Sequence, residues 1–143
     1  MPAAVPCRRG CWTPEAIKSA MRVYAVTDDA WLDGRSLEEC VAEALEGGAT
    51  FVQLREKHMP HEDIVALAKR IALLCKQTRV PFVIDDDVAA AREAGADGVH
   101  VGQEDTACFS ARSILGDDAV IGVSVQTLDQ ALKAQAEGAD YLG

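Results

Sequence analysis

The chain has 143 residues, of which 49% are hydrophobic and 26% are charged, a balance typical of one globular domain rather than of a disordered segment. Its formal net charge of −9 argues against a nucleic-acid or anionic-membrane surface, because binding to phosphate backbones requires a broad footprint of lysine and arginine. We therefore expect any anionic ligand to be held by a few local cations.

The sequence features that bear on the cellular location of the protein favour the cytoplasm. The sequence has no apolar run of the roughly 20 residues that a membrane-spanning helix requires, and its first residues lack the apolar core of a signal peptide. Five scattered cysteines suit a reducing compartment better than a disulfide framework. Cys7 and Cys11 have the spacing of half a metal site, but no His or Cys pair with zinc spacing follows them.

Predicted strands and helices alternate along the chain. A short helix at 14–20 falls in an N-terminal segment, residues 1–21, and residues 22–143 form the main domain. Enrichment in β-branched and aromatic residues predicts strands at 22–28, 50–55, 80–84, 97–101, 119–124 and 139–143. Helices are predicted between them at 36–48, 61–77, up to about 94, 107–115 and 126–137. This βα rhythm predicts a parallel sheet.

A short pattern recurs three times. "GGATFVQL" starts at residue 47, "AGADGVHV" at 94 and "EGADYLG" at 137, and each combines a helix-ending glycine, a small residue and a strand. The starting points lie 47 and 43 residues apart, about two βα units each, which is typical of a repeating βα architecture.

The placement of polar residues favours a barrel over a dinucleotide-binding sheet. The stretch after the first strand, "VTDDAWLDGRS", lacks the G-x-G-x-x-G turn of a Rossmann fold. Polar groups instead follow several strands at their C-terminal ends, as in a (β/α)₈ barrel. We therefore expect an α/β fold of the (β/α)₈ TIM-barrel family with about the first six strands and five helices, an incomplete barrel with two bare strand edges.

Two cations and an amide surround the end of the second predicted strand. Gln53, Arg55 and Lys57 are spaced by two residues in "TFVQLREK" and therefore point to one side. The planar guanidinium and the mobile ammonium suit an oxyanion-rich ligand. The alternative is a solvated rim in which Glu56 is their ion-pair partner.

Carboxylates follow the next two strands. Residues 85–87 are three consecutive aspartates, and Asp105 follows the fourth strand. Mg²⁺ is typically held by one or two carboxylates together with substrate phosphates, and Asp86 with Asp105 is the natural pair. The alternative is that Asp85 or Asp86 and Asp105 cap the following helices, but capping does not explain three acidic residues in a row.

Two further polar residues allow more than one interpretation. His100 lies within a predicted strand between Val99 and Val101, where a histidine is more often an interior residue than a catalyst. Ser124 ends a predicted strand, where its hydroxyl can donate to a phosphate oxygen or cap the next helix.

Taken together, these stretches resemble a known family. "QLREK" at 53–57, "IDDDVAAAREAGADGVHVGQED" at 84–105, "GVSVQT" at 122–127 and the final "EGADYLG" are similar, in this order, to thiamine-phosphate synthase. The resemblance implies a (β/α)₈ barrel that condenses hydroxymethylpyrimidine diphosphate with hydroxyethylthiazole phosphate into thiamine phosphate and diphosphate. Such an enzyme stabilises a departing diphosphate and needs no side-chain nucleophile.

The resemblance also implies roles for individual residues. Arg55 and Lys57 would bind diphosphate, Gln53 would contact the pyrimidine, and Ser124 would be a further substrate contact. Mg²⁺ is the implied cofactor, with Asp86 and Asp105 as its ligands. The implied catalytic residues are Arg55, Lys57 and Ser124. The implied substrate-binding residues are Gln53, Arg55, Lys57, Asp85, His100 and Ser124, with no specific role given to His100.

Two departures from the family accompany the resemblance. The family reads Asn-Asp-Asp where this chain has three aspartates, and a carboxylate at Asp85 would repel diphosphate unless it is protonated or turned onto the metal. The family also continues with a seventh and an eighth βα unit, so we expect a C-terminally truncated synthase that self-associates through its open barrel edges. The alternatives are a thiazole tautomerase-like isomerase and a non-catalytic remnant that binds a phosphate or a protein partner.

Overall fold

The fold is described from a computed structural model that covers residues 12–143, so Cys7 and Cys11 lie outside the described residues. The α-helices are α1 (Pro14–Ala20), α2 (Leu37–Glu46), α3 (His61–Thr78), α4 (Val88–Ala94), α5 (Cys108–Leu115) and α6 (Leu128–Ala136). The strands are β1 (Tyr24–Val26), β2 (Phe51–Leu54), β3 (Phe82–Asp85), β4 (Gly98–Val101), β5 (Val120–Val123) and β6 (Tyr141–Leu142). A 3₁₀ turn covers Asp29–Trp31.

The six strands form one parallel sheet in the order β1-β2-β3-β4-β5-β6. This arrangement confirms the predicted fold class, with six strands and the five helices α2 to α6 that follow β1 to β5. Because all strands run the same way and pair in sequence order, their C-terminal ends meet at one edge of the sheet. Strands β1 and β6 each pair on one side only within residues 12–143. No helix in this range is both long and apolar enough to cross a membrane.

Alternate strand residues divide the sheet into two faces. One face packs on the helices in the larger apolar core, where Val52, Ile84 and Val99 meet Ile71 of α3. The opposite face, called the inner face below, carries Phe51, Val83 and Val120, which pack against Ile17 and Ala20 of α1. Helix α1 therefore covers the inner face at the N-terminal end of the sheet, and the C-terminal end stays open.

The recurring sequence pattern corresponds to a recurring hydrogen-bond pair. In each copy, one residue makes two hydrogen bonds to a partner residue at the start of the preceding strand. In the first bond, its side-chain oxygen accepts from the backbone N–H of the partner at 2.8 Å. The backbone N–H of the same residue donates to the carbonyl oxygen of its partner. These pairs hold β2, β4 and β6 in register with β1, β3 and β5. The pairs are Thr50 with Val23, Asp97 with Phe82, and Asp140 with Ile121.

Capping residues set the beginnings of the helices that follow the strands. Ser36 and Glu39 form the capping box predicted for α2, in which Ser36 Oγ accepts from the backbone N–H of Glu39 at 3.1 Å and Glu39 Oε2 accepts from that of Ser36 at 2.7 Å. Helix α6 begins after Thr127, whose hydroxyl oxygen accepts from the backbone N–H of Gln130. Ser124 is therefore not a helix cap and can serve another purpose.

We predict that Asp97→Ala lowers the free energy of unfolding by about 1–3 kcal/mol, because it leaves the backbone N–H of Phe82 without an acceptor inside the sheet. Asp97→Asn keeps an acceptor oxygen and removes a carboxylate whose pKa is raised by burial, so most of the stability should return. Urea unfolding of the two variants measures the difference. Equal stability of Asp97→Ala and the wild type would show that this pair does not hold the strands.

Candidate functional site

An open cleft of about 390 Å³ lies at the C-terminal edge of the sheet. It gathers side chains that follow β2, β3, β4 and β5. The lining residues are Arg55, Lys57, Asp85, Asp86, Gly102, Gln103, Glu104, Asp105 and Ser124. A larger cavity of about 880 Å³ near Trp12 and Leu73 contains none of the predicted site residues. Six of the eight predicted site residues line the smaller cleft, which we take as the candidate site, whereas Gln53 and His100 lie outside its lining.

Lys57 stands between two of the carboxylates. Its Nζ lies 2.9 Å from Asp85 Oδ2 and also contacts Asp86 Oδ2, and these bonds, that to Asp86 first, raise the pKa of Lys57. Arg55 Nε is 3.9 Å from Asp85 Oδ2. The side chain of Glu56 instead accepts from the backbone N–H of His58 at 3.4 Å. Arg55 and Lys57 therefore point to one side, as their spacing predicts, and there they face the carboxylates of the cleft.

Asp86 and Asp105 meet at the ends of neighbouring strands. Asp86 has a left-handed backbone, with φ of +64°, which aspartate tolerates better than most residues, and its N–H donates to the carbonyl oxygen of His100 at 2.8 Å. The Asp105 carboxylate accepts from the backbone N–H of Gly102 at 2.7 Å. A hydrogen bond between the two carboxyl groups raises the pKa of Asp105, and partial burial adds to the effect.

The pair fits a divalent cation. Two carboxyl groups bond to each other only when they share a proton, and a cation can replace that proton and relieve the repulsion. Two carboxylate ligands are what Mg²⁺ commonly takes from a protein. Within residues 12–143, no cluster of three or more His, Cys, Asp or Glu side chains is arranged to hold a metal ion. Oxygen atoms from a ligand or from water would complete the coordination.

The third aspartate of the run has a structural role. Asp87 Oδ1 accepts from the backbone N–H of Ala90 at 2.8 Å and so caps α4, while Asp87 Oδ2 lies 2.9 Å from Nδ1 of His61. Capping is therefore the role of Asp87 and not of Asp85 or Asp86. Helix α5 has Ala107 at its cap position without a side-chain bond, so Asp105 does not cap it either. Asp85 and Asp86 thus share Lys57 as a partner, while Asp87 caps α4 and contacts His61.

A line of polar side chains on the inner face ends at Ser124, which lines the cleft. Gln53 Nε2 donates to the hydroxyl of Tyr24 at 2.8 Å, and this hydroxyl lies 2.5 Å from that of Tyr141. The Tyr141 hydroxyl is 2.9 Å from His100 Nδ1, and His100 Nε2 is 2.7 Å from Ser124 Oγ. Burial lowers the pKa of His100 and raises that of both tyrosines. The histidine is therefore neutral, and both phenols keep their protons, at neutral pH.

The sequence-based reasoning missed Tyr24 and Tyr141. Each is at an inner-face position of its strand, and register pairs them with Phe51 and Gly122 on the neighbouring strands. The sequence pattern that could have indicated them is a tyrosine at an inner-face position of both the first and the sixth strand. Their separation of 117 residues gives no local cue that the two hydroxyls meet.

The fold defines a protein of the (β/α)-barrel class, and the candidate site lies at the C-terminal ends of its strands. Residues 23–143 match the family model described as thiamine monophosphate synthase, and the chain belongs to this family. That result confirms the resemblance drawn from the motifs at 53–57, 84–105 and 122–127.

Individual relatives agree with the family. The chain is 44% identical over 122 residues to a thiamine-phosphate synthase of Clostridium novyi (strain NT), covering 85% of this chain and 60% of the relative. It is 47% identical to a probable thiamine biosynthetic bifunctional enzyme of Schizosaccharomyces pombe, covering 85% of this chain and 24% of the relative. A solved thiamine phosphate pyrophosphorylase from Pyrococcus furiosus superposes with a TM-score of 0.82 at 38% identity, covering 89% of this chain and 61% of that one. The chain thus spans about 60% of the length of these synthases.

Gly122 leaves the space that the Tyr141 ring and the His100 imidazole occupy on the inner face. A Cβ atom at this position would overlap the ring of Tyr141 and lie 2.5 Å from His100 Nδ1. No side chain larger than hydrogen is compatible with the observed bond between these two residues.

We predict that Gly122→Ala lowers the free energy of unfolding by about 1–3 kcal/mol, because the added methyl group overpacks the inner face and displaces Tyr141 from His100. Gly47→Ala is the matched control, since a Cβ there would come no closer than 3.3 Å to another atom. Urea unfolding followed by circular dichroism measures both variants. An unchanged midpoint for Gly122→Ala would contradict the close approach of Tyr141 and His100.

Proposed function

We propose that this chain carries the synthase site of thiamine biosynthesis, which condenses hydroxymethylpyrimidine diphosphate with hydroxyethylthiazole phosphate and releases diphosphate. The observation that carries the proposal is the meeting of Arg55 and Lys57 with Asp86 and Asp105 in one cleft. This arrangement places cations for an anionic leaving group beside carboxylates for a divalent cation. The names of the relatives support the same chemistry.

In this proposal, Arg55 and Lys57 bind the diphosphate. The side chain of Lys57 is 40% exposed and that of Arg55 is 46% exposed, so both can reach a ligand in the open cleft. Negative charge grows on the diphosphate as its bond to the pyrimidine methylene carbon breaks. Cations fixed in place stabilise that charge without a covalent intermediate.

Asp86 and Asp105 would hold Mg²⁺, which when bound supplies a counter-charge to the diphosphate oxygens. The two carboxylates contribute by keeping their oxygens close together at the end of the sheet. The Gly102 N–H fixes the Asp105 carboxylate, and the Asp86 N–H, which donates to His100, fixes the backbone of Asp86. Their positions are therefore set by the strands before any ligand arrives.

The inner face would receive the pyrimidine. Gln53, which is 5% exposed, presents its amide below the cleft and would contact the ring. Ser124 would contact the substrate from the end of β5. His100 completes the substrate-binding set at the same depth, with 8% exposure.

The tautomerase alternative is less well supported. A proton-transferring histidine needs access to its substrate, whereas both ring nitrogens of His100 are within hydrogen-bond distance of protein hydroxyls. The paired carboxylates also have no function in such an isomerase. Release of diphosphate from the two synthase substrates, measured against isomerisation of the thiazole, separates the two activities. Mg²⁺-dependent binding without turnover would identify a non-catalytic remnant.

Asp85 and Asp86 should respond in opposite directions when their charge is removed. Asp85 pairs with the cations that would bind diphosphate, so we predict that Asp85→Asn strengthens the binding of magnesium diphosphate by at least about tenfold, the value of one charge-assisted hydrogen bond. Asp86→Asn and Asp105→Asn remove a metal ligand and should weaken it by at least as much. Isothermal titration calorimetry with and without Mg²⁺ measures each affinity.

Asp117→Asn is the matched control for this series, because it removes one negative charge from a site remote from the cleft lining. Its affinity should equal that of the wild type. The assignment of the metal ligands is wrong if Asp86→Asn and Asp105→Asn bind magnesium diphosphate as tightly as the wild type does. It is also wrong if all four variants change the affinity in the same direction.

We further propose that this chain works in the cytoplasm on small-molecule substrates. Three cysteines of the described residues, Cys40, Cys75 and Cys108, are free thiols, which supports a reducing compartment. The formal net charge of −9 supports partners other than nucleic acids and anionic membranes.

The 143-residue chain should also self-associate. Val26 on β1 and Leu142 on β6 are 48% and 43% exposed, and Leu128 and Leu132 on α6 are 73% and 54% exposed. Apolar side chains at sheet edges and on a neighbouring helix favour pairing between chains. Size-exclusion chromatography with light scattering should show a molar mass that rises with protein concentration. The double variant Leu128→Glu/Leu132→Glu should have a lower molar mass than the wild type at the same concentration. Leu73→Glu on α3 is the control, and a compact wild-type monomer at all concentrations contradicts the proposal.

A further inference from the structure

Four hydrogen bonds connect five side chains across the inner face. In spatial order the groups are the amide of Gln53, the hydroxyls of Tyr24 and Tyr141, the imidazole of His100 and the hydroxyl of Ser124. Each comes from a different strand or strand end, and every strand except β3 contributes one. The two groups with the least access to water, Gln53 and His100, are 5% and 8% exposed.

The number of hydrogens that each group can donate determines which group is the donor in each of these hydrogen bonds. Gln53 Nε2 has hydrogens only to donate, so the Tyr24 oxygen accepts there, and we assign its own hydrogen to the Tyr141 oxygen, its other hydrogen-bond partner. A phenol has one hydrogen, which Tyr141 then donates to Nδ1 of His100. Nδ1 is therefore the nitrogen without a proton. The imidazole proton is on Nε2, from which it is donated to Ser124 Oγ.

With these donor roles, the hydroxyl hydrogen of Ser124 has no acceptor among the five side chains. Ser124 accepts from His100, so its own hydroxyl hydrogen must find a different acceptor. Ser124 lines the cleft, and its carbonyl oxygen accepts from Gln103 Nε2 at 2.8 Å, which holds the residue in place. An anionic oxygen in the cleft would be the natural acceptor.

We propose that Tyr141 is a positioning residue: its hydroxyl fixes His100 as the Nε2–H tautomer and so keeps the Ser124 hydroxyl hydrogen available to a ligand oxygen. The tautomer stands on the hydrogen bonds alone, whereas the identity of the ligand as a diphosphate rests on the proposed function. Without the Tyr141 hydroxyl, the proton of His100 can move to Nδ1. Nε2 then accepts from Ser124 and withdraws that hydrogen from the cleft.

Nuclear magnetic resonance of the imidazole nitrogens tests the tautomer directly. In the chain labelled with ¹⁵N-histidine, multiple-bond ¹H–¹⁵N spectra distinguish protonated from unprotonated ring nitrogens, and His58→Gln and His61→Gln assign the other two rings. We expect an unprotonated Nδ1 and a protonated Nε2 in His100. Tyr141→Phe should shift both resonances towards a mixture of tautomers. Tyr24→Phe should keep the wild-type pattern, because Tyr141 can still donate to Nδ1.

Three results of this experiment overturn the proposal. They are a protonated Nδ1 in the wild type, identical His100 spectra in the wild type and Tyr141→Phe, and equal shifts in Tyr141→Phe and Tyr24→Phe. The last result would mean that removing either phenol only loosens the inner face.

A double-mutant cycle with magnesium diphosphate as the probe tests the effect on Ser124. Ser124→Ala should weaken binding by about tenfold, as expected for a lost hydrogen bond to a charged acceptor. Tyr141→Phe should weaken it by a similar or smaller factor, and Tyr141→Phe/Ser124→Ala should be no weaker than Ser124→Ala alone. Two losses that multiply in the double variant contradict action through Ser124. A wild-type chain that does not bind the probe contradicts the proposed function and the diphosphate assignment, and the imidazole spectra then decide the tautomer separately.

Discussion

The candidate site depends on one electrostatic constraint, the crowding of carboxylates at the C-terminal ends of β3 and β4. Parallel pairing in register sets Asp85 opposite His100, and the residues that follow each strand therefore share one edge. Side-chain hydrogen bonding with Asp86 raises the pKa of Asp105 there, and partial burial adds to the effect. Lys57 offsets part of this charge through its contacts with Asp85 and Asp86. The negative charge that remains makes the cleft a natural place for a divalent cation.

The same crowding affects the binding of an anion. Lys57 is engaged with two carboxylates, so a diphosphate must displace at least one of them to gain its charge-assisted bond. A cation on Asp86 and Asp105 would change this balance, because it removes Asp86 from competition for Lys57. Metal and anion binding should therefore support each other thermodynamically. Asp85 is the member of the cluster that opposes diphosphate binding.

Much of the fold follows from local patterns in the sequence. Strand enrichment and helix periodicity predict the six strands and the five helices between them, and residue spacing predicts that Arg55 and Lys57 reach the same rim. Helix capping was less predictable, because only the backbone conformation shows that Asp87 caps α4 and that Asp86 turns into the left-handed region. The contact of Tyr24 with Tyr141 depends on the curvature of the whole sheet and on the space above Gly122. No local pattern carries that information.

The most direct test of the central claim is the location of a paramagnetic divalent ion. Mn²⁺ favours the same oxygen ligands as Mg²⁺, and it broadens the nuclear magnetic resonance signals of nearby amides. In a titration of the ¹⁵N-labelled chain, the amide signals of Asp86, Gly102 and Asp105 should broaden first. Asp86→Asn should remove this selectivity. Broadening that begins at another acidic surface, or that is the same in wild type and Asp86→Asn, would contradict a cation site at the ends of β3 and β4.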